Sequence, residues 1–260
     1  MKLSIIIPVY NSADILIKLI NEIKASLLKN YSNNFEIILV NDFSLDKSWK
    51  KIESLSKKFK FIKGIDLNSN VGQHGAIFVG LKFAKGKKII TMDDDLQHPP
   101  SNLIKILKEL DNCDACYTIY LNRKHFFWKI LVSKVNNIFA SFLFNKPYNV
   151  YLSSFRGFNS NIKNKFIKKK QDKVFIDSLI LKEASKISSV KIFHQQRLIG
   201  DSNYTLKKLV LLWFDMVENF HLYPLRFGSL VGIFSFFFVK FIRLFFTKKK
   251  FSFRVRKKLF

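Results

Sequence analysis

Apolar and polar positions follow two alternating periods along the first 110 residues. Runs without a polar face, "KLSIIIPV" (2–9), "FEIILVN" (35–41), "FIKGIDL" (61–67) and "KKIITMD" (87–93), read as buried strands. Between them apolar residues recur at helical spacing. Ile15, Leu16, Leu19, Ile20, Ile23 and Leu27 mark a helix within 12–28, and Trp49, Ile52, Leu55 and Phe59 mark a second. Residues 71–84 and 101–110 read as two more, with Ser101 placed as an N-cap after Pro99 and Pro100. Strand and helix in turn predict parallel βαβ units in a doubly wound, mostly parallel α/β sheet.

Past residue 115 the pattern loosens. "ACYTIY", "SSFRGF" and "VKIFHQ" read as extended pieces, and 126–144 as a Phe-rich helix. Leu206, Leu209, Val210, Trp213, Met216, Val217 and Phe220 then share one helical face. The almost wholly apolar "LRFGSLVGIFSFFFVKFIRLFF" and the basic tail "TKKKFSFRVRKKLF" follow. The expected organisation is an α/β region over 1–205 and a region of amphipathic and membrane-associated helices with a basic tail over 206–260.

Composition sharpens this picture. The chain has 260 residues, 48% of them hydrophobic and 29 of them Phe, which supports a folded core. Its 45 Lys and Arg against 19 Asp and Glu point to anionic partners: nucleic acid, anionic lipid or phosphorylated substrates. Cys113 and Cys116 form a lone CxxC with no second pair to complete a zinc site, so two small residues flanking a strand start are expected there. Pro8 interrupts the first apolar run, which reads as a strand rather than a signal peptide and implies a protein kept in the cytoplasm.

In an open parallel sheet, ligands bind beyond the carboxyl ends of the strands. Asn11, Asp42 and Asn68 follow the first three strands, and Asp93, Asp94 and Asp95 follow the fourth. In extended chain Asp93, Asp95 and Gln97 share a face. Two carboxylates and a carboxamide make a hard oxygen site suited to Mg²⁺ or Mn²⁺, through which an acidic cluster is able to hold a diphosphate. Arg is scarce beside Lys. Arg123, Arg156 and Arg197 lie near strand ends in the second half, and each offers a fork that fits phosphate oxygens. His74 and His98 flank the expected site, within reach of a donor.

Four motifs, "IIIPVYN", "ILVNDFS", "LNSNVGQHGAIFVGLKFAKGKKIITMDDDLQHPP" and "RLIGDSNYTLKKL", together resemble glycosyltransferase family 2. The likeness covers about residues 2–225 and is closest to the polyprenyl-phosphate glycosyltransferase branch. That branch includes dolichyl-phosphate mannose synthase, bactoprenol glucosyltransferase and the undecaprenyl-phosphate aminoarabinose-type transferases. The resemblance implies a GT-A fold, a nucleotide-sugar donor with UDP favoured, and a polyprenyl phosphate acceptor. It assigns Pro8, Tyr10, Asn11, Asp42, Gln73, Asp93 and Asp94 to the nucleotide sugar, and Asp93, Asp95 and Gln97 to the metal. It places Arg197, Ser202 and Tyr204 near the acceptor phosphate, joined by Arg123 and Arg156. The family usually has Glu where Ser12 stands, and Gly or a small polar residue where Phe43 stands.

A phosphate acceptor is already an anion, so Asp95 and Arg197 carry the expected catalysis by charge and positioning. A hydroxyl acceptor on a saccharide or glycolipid needs a base, and Asp177 in "VFIDSL" is the candidate for that alternative. A nucleic-acid binder is the remaining rival; it lacks basic strands interleaved with aromatics, which pool near the C-terminus instead, so no nucleic acid is expected. Assembly into oligomers stays open.

The apolar run has 13 residues (227–239) before Lys240, and a single crossing would put the basic tail outside. The positive-inside rule opposes that. The expectation is a monotopic or re-entrant helix at the cytoplasmic face of the membrane, with the tail on anionic lipid. Removing 226–260 is then expected to spare the nucleotide pocket.

Overall fold

The structure is a computed structural model that describes residues 1–31, 34–121, 141, 146–148, 150–169, 174–193 and 251–260. One mixed sheet runs through it. Its strands are β1 (Leu3–Val9), β2 (Phe35–Asn41), β3 (Ile62–Leu67), β4 (Lys88–Thr91), β5 (Ala115–Leu121), β6 (Arg156–Asn159), β7 (Ile187–Phe193) and β8 (Val255–Leu259). The spatial order is β7-β5-β6-β4-β1-β2-β3-β8. β4, β1, β2 and β3 are mutually parallel, as their alternation with helices predicts. The flank is mixed: β6 runs antiparallel to β4 and β5, while β5 and β7 are parallel.

β1 and β2 are buried at every position because both faces of the sheet are covered. Alternation divides their side chains. Leu3, Ile5, Ile7, Phe35, Ile37 and Leu39 pack with α1 (Leu16–Tyr31), α2 (Ser48–Lys58) and α4 (Leu103–Glu109). Ile6, Ile38 and Val40 pack with α3 (Gly72–Phe83), α5 (Ser160–Phe166) and α6 (Ile176–Glu183). The stripe Leu16, Leu19, Ile20, Ile23 and Leu27 is fully buried, as its spacing requires. Gly80 lets α3 lie close on the sheet: a Cβ there would stand 2.6 Å from Ile6 Cγ2.

Element ends depart from the periodic pattern where polar contacts intervene. α1 starts at Leu16 rather than residue 12, since Ser12 N donates to Ser48 Oγ (2.9 Å) and Ala13 N to Asp46 Oδ2 (3.0 Å). Ser101 is not an N-cap; it lies in a 3-10 turn (Pro100–Asn102) leading into α4. Cys113 and Cys116 are free and buried, and burial pushes their thiols up to about 11 and about 12. The thiolate needed for metal or redox chemistry is thereby disfavoured.

The C-terminal residues differ most from expectation. They do not form a free tail for lipid headgroups: β8 pairs antiparallel with β3 and covers that sheet edge. Asn68 N donates to Arg254 O (3.1 Å), Arg256 Nε to Asp66 Oδ2 (2.6 Å), and Lys257 Nζ to Glu53 Oε1 (2.6 Å). Phe251 meets Phe78 edge-on at 5.8 Å, and Phe260 packs on Phe83 at 5.3 Å. Deleting 251–260 should therefore destabilise the α/β region by about 3 kcal/mol or more through lost apolar burial alone. Equilibrium denaturation of the truncated chain checks this; an unchanged midpoint would show that β8 contributes nothing to the fold. The amphipathic face at 206–220, the apolar run at 225–246 and Lys248–Lys250 lie outside the described residues. Among the described residues no helix is long and apolar enough to cross a membrane.

Candidate active site at the carboxyl edge of the sheet

β1 sits between β2 and β4, with α1 and α3 on opposite faces. That is the topological switch point, where a crevice opens beyond the carboxyl ends of the strands. The loops leaving β1, β2 and β4 meet there. Among the described residues, three non-glycines adopt positive φ: Asn11 (54°), Phe43 (60°) and Leu96 (57°). One lies in each of those loops. Strained backbone of this kind collects where the surroundings over-determine a functional geometry. The surroundings do so here: Asn11 N donates to Ser44 Oγ (3.0 Å), and Leu45 N donates to Asn11 Oδ1 (2.8 Å). Tyr10 N reaches Asp94 Oδ2 at 3.4 Å, joining the first loop to the third.

The acidic triplet is not extended, as the shared-face argument assumed. β4 ends at Thr91, and the chain then turns, with Leu96 left-handed and Gln97 N donating to Asp95 Oδ1 (3.1 Å). Asp93 is the most heavily held of the three. Its Oδ1 accepts from Gln73 Nε2, and its Oδ2 accepts from Ser154 Oγ (2.6 Å) with His98 Nε2 at 3.5 Å. Burial works to raise its pKa, but His98, Ser154 and the charge of Arg156 outweigh this and hold it below the usual carboxylate value. Asp94 goes the other way. Burial, reinforced by the charges of Asp93 and Asp95, pushes it up to about 7 against bonds from Ser12 and Tyr10. Among the described residues no group of three or more His, Cys, Asp or Glu forms a ready-made metal cluster.

Of the side chains behind Asp93, His98 and Gln73 were named in the sequence reading, whereas Ser154 and Tyr120 escaped it. His98 is buried between Tyr120 (rings 5.3 Å apart) and Phe155 (5.4 Å). Its Nδ1 lies 3.1 Å from Tyr120 Oη, and its Nε2 lies 3.3 Å from Ser154 Oγ. Ser154 and Tyr120 stand on the flanking strands β6 and β5 or just before them, so nothing local in the sequence ties them to residue 93. The one available signal was the place of Ser154 in "SSFRGF" beside Arg156.

Asp42 is occupied. Its carboxylate accepts from Val71 N (2.7 Å) and Gly72 N (2.9 Å) at the first turn of α3. Burial raises its pKa against those two amides. Next to it, Asn41 Nδ2 donates to the buried Asp66 (2.7 Å), which Arg256 holds from the other side. Asn68 meets β8 through its backbone. Pro8 ends no ladder: it lies in β1 opposite Val40.

Arg156 and Asp177 correct an expectation. They are 2% and 4% exposed, and Arg156 Nη1 donates to Asp177 Oδ1 in a buried ion pair. Arg156 is thus not presented to an acceptor phosphate, and Asp177 is not open to a substrate hydroxyl. Tyr117 lies beside them, and burial, then the Asp177 charge, raises its pKa well above the ordinary value. Arg156 stands opposite Thr91, two residues before Asp93, so the pair forms the floor under the triplet. Arg123, Arg197, Ser202 and Tyr204 lie outside the described residues.

Residues 4–184 match the family model of Glycosyl transferase family 2. Two curated relatives are undecaprenyl-phosphate 4-deoxy-4-formamido-L-arabinose transferases. That of Serratia proteamaculans is 30% identical, and that of Salmonella choleraesuis 31% identical, each over 89% of this chain and 71% of the relative. Among solved structures, Mycobacterium tuberculosis glucosyl-3-phosphoglycerate synthase, in complex with Mn²⁺, UDP and glucosyl-3-phosphoglycerate, aligns with TM-score 0.60 at 13% identity. That alignment covers 85% of this chain and 80% of the synthase. S. aureus TarS in complex with UDP-GlcNAc aligns with TM-score 0.53 at 20% identity, over 85% of this chain and 68% of TarS. Those two likenesses establish a GT-A-like fold.

Proposed function

The chain belongs to glycosyl transferase family 2, and from that premise we propose that it moves a sugar from a UDP-sugar to a polyprenyl phosphate of the undecaprenyl type. The observation that carries this reading is the near-full-length similarity to two transferases named for undecaprenyl phosphate. It is joined to an acidic triplet at the switch point of the sheet. The acceptor lies in a membrane, so the work is assigned to the cytoplasmic membrane face, with residues 206–246 at the bilayer.

The donor is held at the β1, β2 and β4 exits by Tyr10, Asn11 and the triplet, with Asp42 fastening the β2 exit to α3. The donor set fits a divalent cation: it is all oxygen, and the neighbouring charges of Asp93 and Asp95, which add to burial in raising Asp94, are the imbalance such a cation relieves. Asp93, Asp95 and Gln97 would hold Mg²⁺ or Mn²⁺, which supplies positive charge to the departing diphosphate. Gln73, Ser154 and His98 fix the Asp93 carboxylate in one orientation and keep it ionised. Arg197, with Ser202, Tyr204 and Arg123, is assigned to the acceptor phosphate, whose oxygen attacks the anomeric carbon from the side opposite the diphosphate. That displacement inverts the anomeric configuration. A phosphate nucleophile has no proton to lose, and the pairing of Asp177 with Arg156 is consistent with a site that needs no carboxylate base.

The test is incubation with undecaprenyl phosphate and a panel of radiolabelled nucleotide sugars, with and without Mn²⁺, beside a saccharide acceptor. Label should enter the lipid only with cation present. Label in the saccharide alone would overturn the acceptor assignment. Arg197→Ala should raise the KM for lipid phosphate by about tenfold or more and leave UDP affinity nearly unchanged. A collapse of UDP affinity with normal acceptor kinetics would put Arg197 on the other substrate.

A further inference from the structure

Phe43 stands out in its backbone conformation and in its residue type. It is a bulky residue with φ of 60°, where an L side chain costs on the order of 1–2 kcal/mol. The residue is 39% exposed; Phe193 (63%) and Phe260 (67%) are more so, so its exposure matters only together with its place at the crevice. It also stands where the resembling family carries Gly or a small polar residue, types that suit the left-handed conformation without strain.

The loop around it is pinned from every side. Asp42 N donates to Val9 O (2.9 Å), Asn70 Nδ2 donates to Asp42 O (3.2 Å), and the Asp42 carboxylate is fastened to α3. Ser44 and Leu45 are stitched to Asn11, the neighbour of Tyr10, which is itself 43% exposed. Two exposed aromatic side chains thus stand on two loops sewn together at the mouth of the switch-point crevice. A hydrophobic ring held out of the core, at a conformational cost, on a rigid loop is explained by a flat apolar ligand group that covers it. A nucleobase is such a group, and its stacking on an aromatic side chain is largely indifferent to base identity.

We infer that Phe43 is a base-stacking residue of the donor pocket, providing with Tyr10 an aromatic surface for the nucleobase. This rests on the nucleotide-sugar reading above. Donor affinity in this chain then depends on the ring of residue 43.

The experiment titrates the wild-type chain and three variants with UDP, GDP and uridine, and measures thermal midpoints and donor kinetics in parallel. Phe43→Asn and Phe43→Gly remove the ring while suiting positive φ, so both should melt no lower than wild type. Both should bind whichever nucleoside diphosphate the wild type binds about tenfold more weakly. Donor KM should rise by a similar factor, with kcat little changed. Phe43→Tyr should keep wild-type affinity. Equal nucleotide affinity in the Asn and Gly variants overturns the inference. Should those variants instead lose binding to phosphatidylglycerol vesicles with nucleotide affinity intact, Phe43 is a membrane wedge, and the inference is likewise overturned. If the wild type binds no nucleoside diphosphate, the donor reading itself fails and takes this inference with it.

Discussion

Asp93→Asn should lower sugar transfer by about 10²–10³-fold, with the chain still folded. The substitution keeps the shape of the side chain and removes its charge. Gln73 and Ser154 both donate to Asp93, so an amide in its place keeps its oxygen toward Gln73 and turns its NH₂ to Ser154, whose hydroxyl must change from donor to acceptor. The exchange of a charge-assisted bond for a neutral one costs some stability as well. Asp95→Asn should show an equal loss of transfer with a smaller loss of stability, because Asp95 Oδ1 accepts from the neighbouring backbone N–H of Gln97, a bond that an amide oxygen also accepts. Turnover with undecaprenyl phosphate and the denaturation midpoint, measured on both variants, separate the two effects. Activity within tenfold of wild type in either variant would remove that carboxylate from the reaction.

The second large effect is expected at the floor of the site. Asp177→Ala leaves Arg156 as an uncompensated charge, 2% exposed, and should cost roughly 3–5 kcal/mol of stability. Arg156→Ala should cost as much, because it strands Asp177 in the same way. Replacing the two together, Arg156→Met with Asp177→Leu, should recover most of the loss, since a buried ion pair and a matched apolar pair differ little in net stability. Transfer should fall in all three, because Arg156 lies under the triplet and its charge helps to keep Asp93 ionised. Urea denaturation gives the stabilities. The alternative, with Asp177 as a base for a hydroxyl acceptor, leads to a different outcome: Asp177→Asn would abolish chemistry while leaving the midpoint untouched. Such a result would displace the structural role of the pair.

The expectation that 226–260 can be removed without disturbing the nucleotide pocket does not survive the position of β8. Arg256 holds Asp66, Asp66 holds Asn41, and Asn41 adjoins Asp42. A truncation meant to detach a membrane segment would also unzip a sheet edge joined to the pocket. Excising the apolar run while retaining 251–260 on a linker is the cleaner test of membrane attachment.

The parallel core and the identity of its carboxyl-edge loops were legible in the sequence because both depend on local pattern. "LSIIIPV" and "FEIILVN" have no polar face to give to solvent, and a helical stripe between them forces a crossover. Given that crossover, Asn11, Asp42 and Asp93 fall on one edge. Chemical type was equally local: three adjacent carboxylates make an acidic stretch whatever is packed around them. What the sequence left open depended on contacts between residues far apart. Arg156 looked like a phosphate ligand until Asp177, 21 positions away, was placed against it in the core. Asp42 looked open until the first turn of α3, some 29 positions on, was laid across its carboxylate. The basic strand 255–259 looked like a tail because Lys and Arg favour water, and only the pairing edge of β3, with Asp66 and Glu53 beside it, gave those charges partners and the backbone a ladder. The periodicity of side chains is written residue by residue along the chain, so it determined the layers. The partner of a charge is set by three-dimensional proximity, and that only the tertiary structure decided.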